Sequence, residues 1–218
     1  MNFNLTHIPL RNIKPRENGL TMMMDKGLSI TEVKSFISSS GELTDIVKIG
    51  FGTSYLTKNL KEKIKLYQEA NLRVYFGGTL FEAFVARNMF NEYRKILDDF
   101  NIDTAEISDG SIEISHKKKC EYISTLKKQV TVLSEVGSKD AKKLIPPYKW
   151  IQLMQRELEA GSWKVIAEAR EGGNVGIFNK GGDVRYDLID EILTKIDSND
   201  VLWEAPKKPQ QVWFIKLL

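Results

Sequence analysis

Apolar and polar positions alternate along this chain in a repeating order of strand and then helix. Seven short apolar runs, each ending in a charged or glycine-containing turn, lie at residues 20–25, 46–50, 74–78, 104–110, 131–137, 164–170 and 201–206. Each of the first six is followed by a stretch with helical spacing. Runs of about 5 to 7 residues rich in Val, Ile and Met are typical of buried parallel strands joined by helical crossovers. The pattern predicts an α/β fold.

The helical stretches carry apolar stripes that are typical of helices packed on a sheet. Val33 lies in one such stripe, and Ser29 with Glu32 has the spacing of a capping box at its start. Thr79 and Glu82 repeat that spacing at the start of another predicted helix. We interpret these stripes as core and assign them no functional role.

Length and composition narrow the choice of fold and partners. The 218 residues suffice for one (β/α) barrel domain spanning residues 1–218. The net charge of +3 is small and its cations are dispersed, so we expect neither nucleic acid nor membrane as a partner. The lysine run at 117–119 is interpreted as a solvated helix start. A single cysteine, Cys120, and the absence of a leader or a long apolar stretch favour the cytoplasm.

Strand alternation predicts a ring of charged side chains at one end of the sheet. The C-terminal ends of parallel strands all lie at the same end of the sheet, and in a (β/α) barrel the active site lies at that end. Burying an unpaired charge costs several kcal/mol, so these groups must face one another, a metal or a ligand. The predicted ring consists of Asp25, Lys48, Glu106, Glu135, Glu168, Arg170 and Glu204.

Two explanations of this ring are open. Structural salt bridges would suffice for any single residue, with Lys48 and Arg170 neutralising the glutamates. A functional site is favoured for the set as a whole, since one fold seldom buries so many charges without use. The four glutamates carry more negative charge than the two cations can neutralise. Hard oxygen ligands without His or Cys clusters then favour Mg2+ over Zn2+.

Glycine-rich turns add a second chemical feature. The turns at 50–53 and 77–79 would expose helix-start amides that attract phosphate or sulfonate, although tight βα connections also explain them. The longer segment 171–185 contains Gly172, Gly173, Gly176, Gly181 and Gly182. It is interpreted either as a hairpin-like flap over an active site or as an ordinary mobile surface loop.

A series of short motifs runs in order through nearly the whole chain. They are Lys-Pro-Arg at 14–16, Gly-Leu-Thr-Met at 19–22, Asp-Lys-Gly at 25–27, Lys-Ile-Gly-Phe-Gly-Thr at 48–53, Gly-Gly-Thr-Leu at 77–80, Glu-Ile-Ser-Asp-Gly at 106–110, Glu-Val-Gly at 135–137, Lys-Asp at 139–140, Glu-Ala-Arg-Glu at 168–171 and Glu-Ala-Pro at 204–206, followed by Lys208, Gln210, Gln211, Phe214 and Ile215. This series resembles the phosphosulfolactate synthase family. No single motif decides the resemblance.

The resemblance implies a (β/α)8 TIM-barrel-like lyase that forms a carbon–sulfur bond. Members of the family add sulfite to phosphoenolpyruvate with Mg2+ as cofactor, giving (2R)-phospho-3-sulfolactate. That product leads to coenzyme M in methanogens and to sulfolactate in some bacteria. Homo-oligomerisation is expected as well. The family continues into an eighth strand, whereas this sequence ends at Leu218, so we expect the eighth strand to be absent or incomplete.

The resemblance also suggests roles for individual residues. Lys139 matches the lysine that the family is thought to use as the acid, and Glu135 and Arg170 complete the predicted catalytic set. The pool of candidate Mg2+ ligands is Glu106, Asp109, Glu135 and Glu168. The candidates for holding phosphate, carboxylate and sulfite are Lys26, Lys48, Arg170 and Arg185.

Two alternatives to this function remain. One is a non-catalytic relative similar to the plant heat-stress proteins that resemble this family over the same barrel. Retention of the buried charges favours the enzyme, because a scaffold could exchange them for apolar residues with little loss. The other is a Mg2+-dependent barrel lyase acting on a different phosphorylated enol or keto acid.

Overall fold

The computed structural model of the chain describes residue 3, residues 5–138 and residues 145–218. The strands found in these residues are β1 (Met22–Asp25), β2 (Ile46–Ile49), β3 (Arg73–Phe76), β4 (Thr104–Ile107), β5 (Thr131–Val136), β6 (Lys164–Ala167) and β7 (Val201–Trp203). The helices are α1 (Ile30–Ser40), α2 (Phe51–Leu56), α3 (Leu60–Glu69), α4 (Gly78–Val85), α5 (Phe90–Asp99), α6 (His116–Leu126), α7 (Pro147–Ala160), α8 (Tyr186–Leu193) and α9 (Lys208–Leu217). Two 3₁₀ turns, Gly41–Leu43 and Ser198–Asp200, precede β2 and β7.

All of the paired strands are parallel, which confirms the predicted α/β class. Hydrogen bonds join them into two sheets, one ordered β1-β2-β3 and the other β4-β5-β6-β7. β3 and β4 lie in contact without forming a hydrogen-bonded pair. Within the described residues, β7 and β1 are not paired by hydrogen bonds, either directly or through an intervening strand. The described residues therefore form a barrel-like fold with incomplete closure, as expected from the family resemblance.

The strands are mostly shorter than the apolar runs that predict them. The predicted runs at 46–50 and 74–78 include glycines that belong to the following turn or helix. Gly50 and Gly77 are the N-cap residues of α2 and α4. β2 and β3 thus each pass into the following helix through a single residue, which brings the starts of α2 and α4 close to the strand ends.

The core has an inner and an outer layer. Inside the barrel, Ile46, Tyr75, Leu133, Ile166 and Leu202 pack together, each at most 9% exposed. Two larger apolar clusters fill the space between the strands and the helices. Side chains that point inward at the strand ends therefore lie next to an apolar layer, and a charged group buried there needs a partner of opposite charge or a hydrogen bond.

One of the two capping boxes predicted from the sequence is present in the structure. The Ser29 hydroxyl accepts the Glu32 N–H, and the Glu32 carboxylate accepts the Ser29 N–H, which confirms the first. The second is wrong, because α4 begins at Gly78 and Thr79 lies inside the helix. Of the helices in the described part of the chain, none combines enough length with enough apolar residues to span a bilayer.

Candidate active site

A buried ion pair stands at the C-terminal ends of β2 and β4. Lys48 Nζ lies 2.9 Å from Glu106 Oε2, and the Gly78 N–H donates to Glu106 Oε1 at 2.6 Å. Gly78 is required for this approach, since a Cβ there would lie 2.6 Å from Glu106 Oε1 and would collide with the side chain of Ser108. The N-terminal N–H of α4 thus fixes the Glu106 carboxylate, which in turn pairs with the Lys48 ammonium.

The electrostatics of this pair follow from burial and from its neighbours. Burial raises the pKa of Glu106, and the carboxylates of Glu135 and Glu204 add to that rise, while Lys48 opposes it. Burial alone would lower the pKa of Lys48, but Glu106, Tyr75, Glu135 and Glu204 together raise it well above its ordinary value. Lys48 is therefore a fixed ammonium charge at neutral pH.

Three glutamates, which we call the glutamate triad, meet beside Lys48. Glu135, Glu168 and Glu204 each offer a carboxylate oxygen, and these oxygens lie within 4.8 Å of one another. They come from the ends of β5, β6 and β7. Lys48 Nζ is 3.5 Å from Glu135 Oε2 and 3.3 Å from Glu204 Oε1. Such a group of oxygen donors can hold a hard divalent cation.

Backbone amides orient two members of the triad. The Ala169 N–H donates to Glu204 Oε2 at 2.9 Å, and the Arg170 N–H donates to Glu168 Oε1 at 2.6 Å. Arg170 lies three residues beyond the end of β6 and adopts a left-handed backbone with φ of 54°. The triad is therefore preorganised by the chain that follows β6.

The segment 171–185 is packed against the site, contrary to the mobile-loop interpretation. Ile177 is fully buried, and its N–H donates to the Glu168 carbonyl. A bridge between Phe178 and Val184 gives the segment a hairpin-like form. The buried side-chain amide of Gln210 on α9 donates to the carbonyls of Gly173 and Gly182, which holds the segment at two points.

A family model described as (2R)-phospho-3-sulfolactate synthase matches residues 9–218 of this chain. The chain belongs to the phosphosulfolactate synthase family. It is 40% identical over 219 residues to the phosphosulfolactate synthase of Bacillus subtilis, covering 99% of this chain and 87% of that protein. It is 37% identical to the phosphosulfolactate synthase of Methanothermobacter thermautotrophicus, covering 95% and 83% of the two chains. The phosphosulfolactate synthase of Methanocaldococcus jannaschii is 38% identical, with 91% and 82% covered.

Membership in the phosphosulfolactate synthase family makes this protein an enzyme. The non-catalytic scaffold considered from the sequence is thereby set aside. In this synthase fold, the predicted residues Lys48, Glu106, Glu135 and Glu168 do come together at one end of the strands. Glu204 joins them, although the predicted ligand pool did not include it.

Two residues of the predicted ring lie outside the buried charge cluster of the synthase barrel. Asp25 faces the outer layer, where its Oδ2 lies 3.0 Å from Lys63 Nζ and accepts the Tyr67 hydroxyl. The prediction that Asp25 points inward is wrong, because the register pairs Met24 with Lys48 and so places Asp25 on the opposite face. The prediction that Arg170 belongs to the buried ring is also wrong, because it lies beyond the strand in a left-handed backbone and its side chain is exposed.

Lys26, Arg185 and Asp109 lie at the rim or behind the site. Lys26 forms an exposed ion pair with Glu171 at 2.9 Å, which links the loop after β1 to the loop after β6. Arg185 is half-buried, donates to the Gly176 carbonyl at 2.7 Å, and has a pKa lowered by burial. Asp109 is paired with Lys119 at 2.9 Å. Lys139 lies outside the described residues.

Sequence reasoning missed several buried charges behind this site. Lys119 was predicted to be solvated with the rest of the run 117–119, yet it is 1% exposed. Its spacing to Ile123 and Leu126, four and seven residues on, is the apolar periodicity that could have revealed it. Glu82, predicted to cap a helix, instead accepts the Ser108 hydroxyl and the Gly110 and Ser111 N–H groups, and so orders the loop after β4.

Proposed function

We propose that this enzyme adds sulfite to phosphoenolpyruvate with Mg2+ as cofactor, giving (2R)-phospho-3-sulfolactate. The sulfur lone pair forms a bond to C3 of the enol ester. The π electron pair moves through C2 into the carboxylate, which becomes a doubly charged aci-carboxylate. A proton delivered to C2 then restores the carboxylate and completes the addition. The site must therefore hold several anions, stabilise growing negative charge and supply one proton.

The convergence of Glu135, Glu168 and Glu204 is the observation that carries this proposal. Their oxygens lie within 4.8 Å of one another, a range that includes the roughly 3 Å between adjacent oxygens and the roughly 4 Å between opposite oxygens around Mg2+, whose ligand distance is about 2.0–2.1 Å. The donors are all hard oxygens, which suits Mg2+. These three residues would hold the ion. Bound there, Mg2+ would supply positive charge that stabilises the electron-rich carboxylate of the substrate.

Lys48 contributes charge and not a proton in this proposal. Its pKa stands well above the ordinary value, so it is a poor acid at neutral pH. Its ammonium instead fixes the carboxylates of Glu135 and Glu204 at one edge of the triad. A preorganised charge of this kind needs no reorganisation when substrate charge develops. The proton donor is then a separate group, for which Lys139 stays the candidate.

The rim cations are the candidates for holding the substrate's anionic groups. Arg170 is exposed beside Glu168, and a planar guanidinium suits phosphate, carboxylate or sulfite. Lys26 is exposed on the neighbouring loop and reaches the segment 171–185 through Glu171. Arg185 is already engaged with the Gly176 carbonyl, so its role is to fix that segment as well as to add positive charge.

A direct assay tests the proposed function. Purified enzyme is incubated with phosphoenolpyruvate, sulfite and Mg2+, and the products are followed by 31P NMR. We expect the signal of phosphosulfolactate to appear only when all three are present, and to be lost in Glu168→Gln. Consumption of a different phosphorylated enol or keto acid, without any phosphosulfolactate, would replace this proposal with the other barrel lyase.

A further inference from the structure

Lys119 is a buried cation that the proposed chemistry does not use. It lies on α6 and is 1% exposed. Its Nζ contacts the Asp109 carboxylate at 2.9 Å, the Glu157 carboxylate at 2.8 Å and the main-chain carbonyl of Glu135 at 2.6 Å. An ammonium has three N–H donors, and here three acceptors meet them. The carboxylates outweigh burial and raise the pKa of Lys119, so it stays charged.

The contact to Glu135 reaches the back of the proposed metal site. The last register pair between β4 and β5 is Ile107 with Ser134, one residue before Glu135. Beyond this point β4 no longer accompanies β5, and the Lys119 ammonium binds the carbonyl there. The Glu135 side chain points the other way, into the triad and toward Lys48.

The other two contacts tie this point to its surroundings. Asp109 belongs to the loop after β4, and Glu157 is a fully buried residue of α7. His116, one turn before Lys119 on α6, also contacts Glu157, with its Nε2 3.1 Å from Oε1. Lys119 therefore joins α6, α7, the loop after β4 and the end of β5 in one ionic junction.

We infer that Lys119 is a positioning residue that sets the orientation of Glu135 from outside the barrel. This inference rests on the proposed function, in which Glu135 holds the metal. Groups that orient metal ligands from behind typically change metal affinity or activity about 10-fold to 100-fold when they are lost. A purely structural role, pairing Lys119 with Glu157 between α6 and α7, would change only stability.

Two variants separate positioning from structure. Lys119→Met alone would leave Glu157 buried without its cation and could prevent folding. The comparison is therefore between Glu157→Gln and the double variant Lys119→Met with Glu157→Gln. Both lack the buried ion pair between α6 and α7, and only the double variant lacks the contacts to Glu135 and Asp109. The thermal midpoint, kcat, KM for phosphoenolpyruvate and Mn2+ affinity by EPR titration are measured for both.

We expect Glu157→Gln to keep a Mn2+ affinity and a kcat close to those of the wild type. The double variant should lose about 10-fold or more in Mn2+ affinity and kcat, with a smaller change in KM. Equal Mn2+ affinity and equal kcat in the two variants would overturn the inference.

A crystal structure of the double variant keeps the inference testable if the proposed function fails. Absence of phosphosulfolactate formation in the wild type would reject the proposed function alone. In that event, displacement of the Glu135 carboxylate away from Lys48 in the double variant would still support positioning by Lys119. A Glu135 carboxylate that keeps its place beside Lys48 would overturn it.

Discussion

Lys48 and Glu106 connect the two sheets of the barrel across its interior. Lys48 lies on β2 and Glu106 on β4, and no strand hydrogen bonds join their sheets between β3 and β4. Their side chains are 7% and 1% exposed, with 2.9 Å between Nζ and Oε2. The same ammonium reaches Glu135 and Glu204 on the second sheet. The Lys48 ammonium therefore links the first sheet to the second and contacts two members of the glutamate triad.

Removing Lys48 should destabilise the fold strongly. Lys48→Met leaves Glu106 buried without its cation, and losing one partner of such a pair costs about 3–5 kcal/mol in the free energy of unfolding. The double variant Lys48→Met with Glu106→Gln should recover part of that loss, because Glu106 no longer carries an unpaired charge, whereas Glu135 and Glu204 still lack the ammonium. Urea unfolding of the wild type, both single variants and the double variant measures the coupling. Additive losses would show that the two residues do not interact.

A methyl group at Gly78 should disturb the Glu106 carboxylate. The added Cβ would lie 2.6 Å from Glu106 Oε1 and would collide with Ser108. Gly78→Ala should therefore lower the free energy of unfolding by about 1–3 kcal/mol and reduce turnover. Gly52→Ala on α2 is the matched control, since a Cβ there meets nothing within 4 Å. Equal effects of the two substitutions in urea unfolding and activity assays would contradict the close-approach account.

Asp25 should make the free energy of unfolding depend on pH. Burial would raise its pKa, but the N–H groups of Gly27 and Leu28 and the Lys63 ammonium outweigh this and lower it. A lowered pKa in the folded state gives stability that is present above the unfolded pKa and is lost as pH falls through the folded pKa. Asp25→Asn should therefore be less stable than the wild type at pH 7, by about 3 kcal/mol or more.

The difference between the wild type and Asp25→Asn should shrink in acid. Below the unfolded pKa of about 4, the wild-type carboxylate progressively loses its advantage. Urea unfolding at a series of pH values from 7 to the acid range measures the difference. Asp190→Asn, at an exposed position on α8, serves as the control substitution. A stability difference for Asp25→Asn that is constant across the series would disprove the role of its ionisation.

Arg170 should matter for substrate and not for folding. Its side chain is exposed, so Arg170→Ala should change the free energy of unfolding by no more than about 0.5 kcal/mol. Loss of a charge-assisted hydrogen bond to a substrate anion, about 1.5–3 kcal/mol, should raise KM for phosphoenolpyruvate about tenfold or more. Arg156→Ala, exposed on the outer helix α7, is the control. Steady-state kinetics with an unchanged KM in Arg170→Ala would remove it from the substrate site.

Strand order and most inward positions could be predicted from the sequence, because alternation holds as long as a strand is extended. Lys48, Glu106, Glu135 and Glu204 lie within their strands or within one residue of the strand end, and all point inward. Arg170 lies three residues beyond the end of β6, after a left-handed bend that alternation cannot anticipate. The failure at Asp25 has another cause, since its face depends on the register with β2.

Buried charges on helices were harder to predict than those on strands. Lys119 belongs to a run of lysines that is mostly solvated, and only its spacing to Ile123 and Leu126 distinguishes it. Its partner Glu157 shares a helix with polar exposed neighbours. Their pairing is a tertiary contact between α6 and α7, so it cannot be predicted from either helix alone.

A crystal structure with Mn2+ and phosphoenolpyruvate would show whether the glutamate triad binds the metal ion next to the substrate. Mn2+ is located by its anomalous scattering and stands in for Mg2+. We expect a peak coordinated by Glu135, Glu168 and Glu204, with the phosphoenolpyruvate carboxylate beside it at the C-terminal ends of the strands. A peak bound elsewhere, or substrate bound at the opposite end of the strands near Arg73 and Trp163, would contradict it.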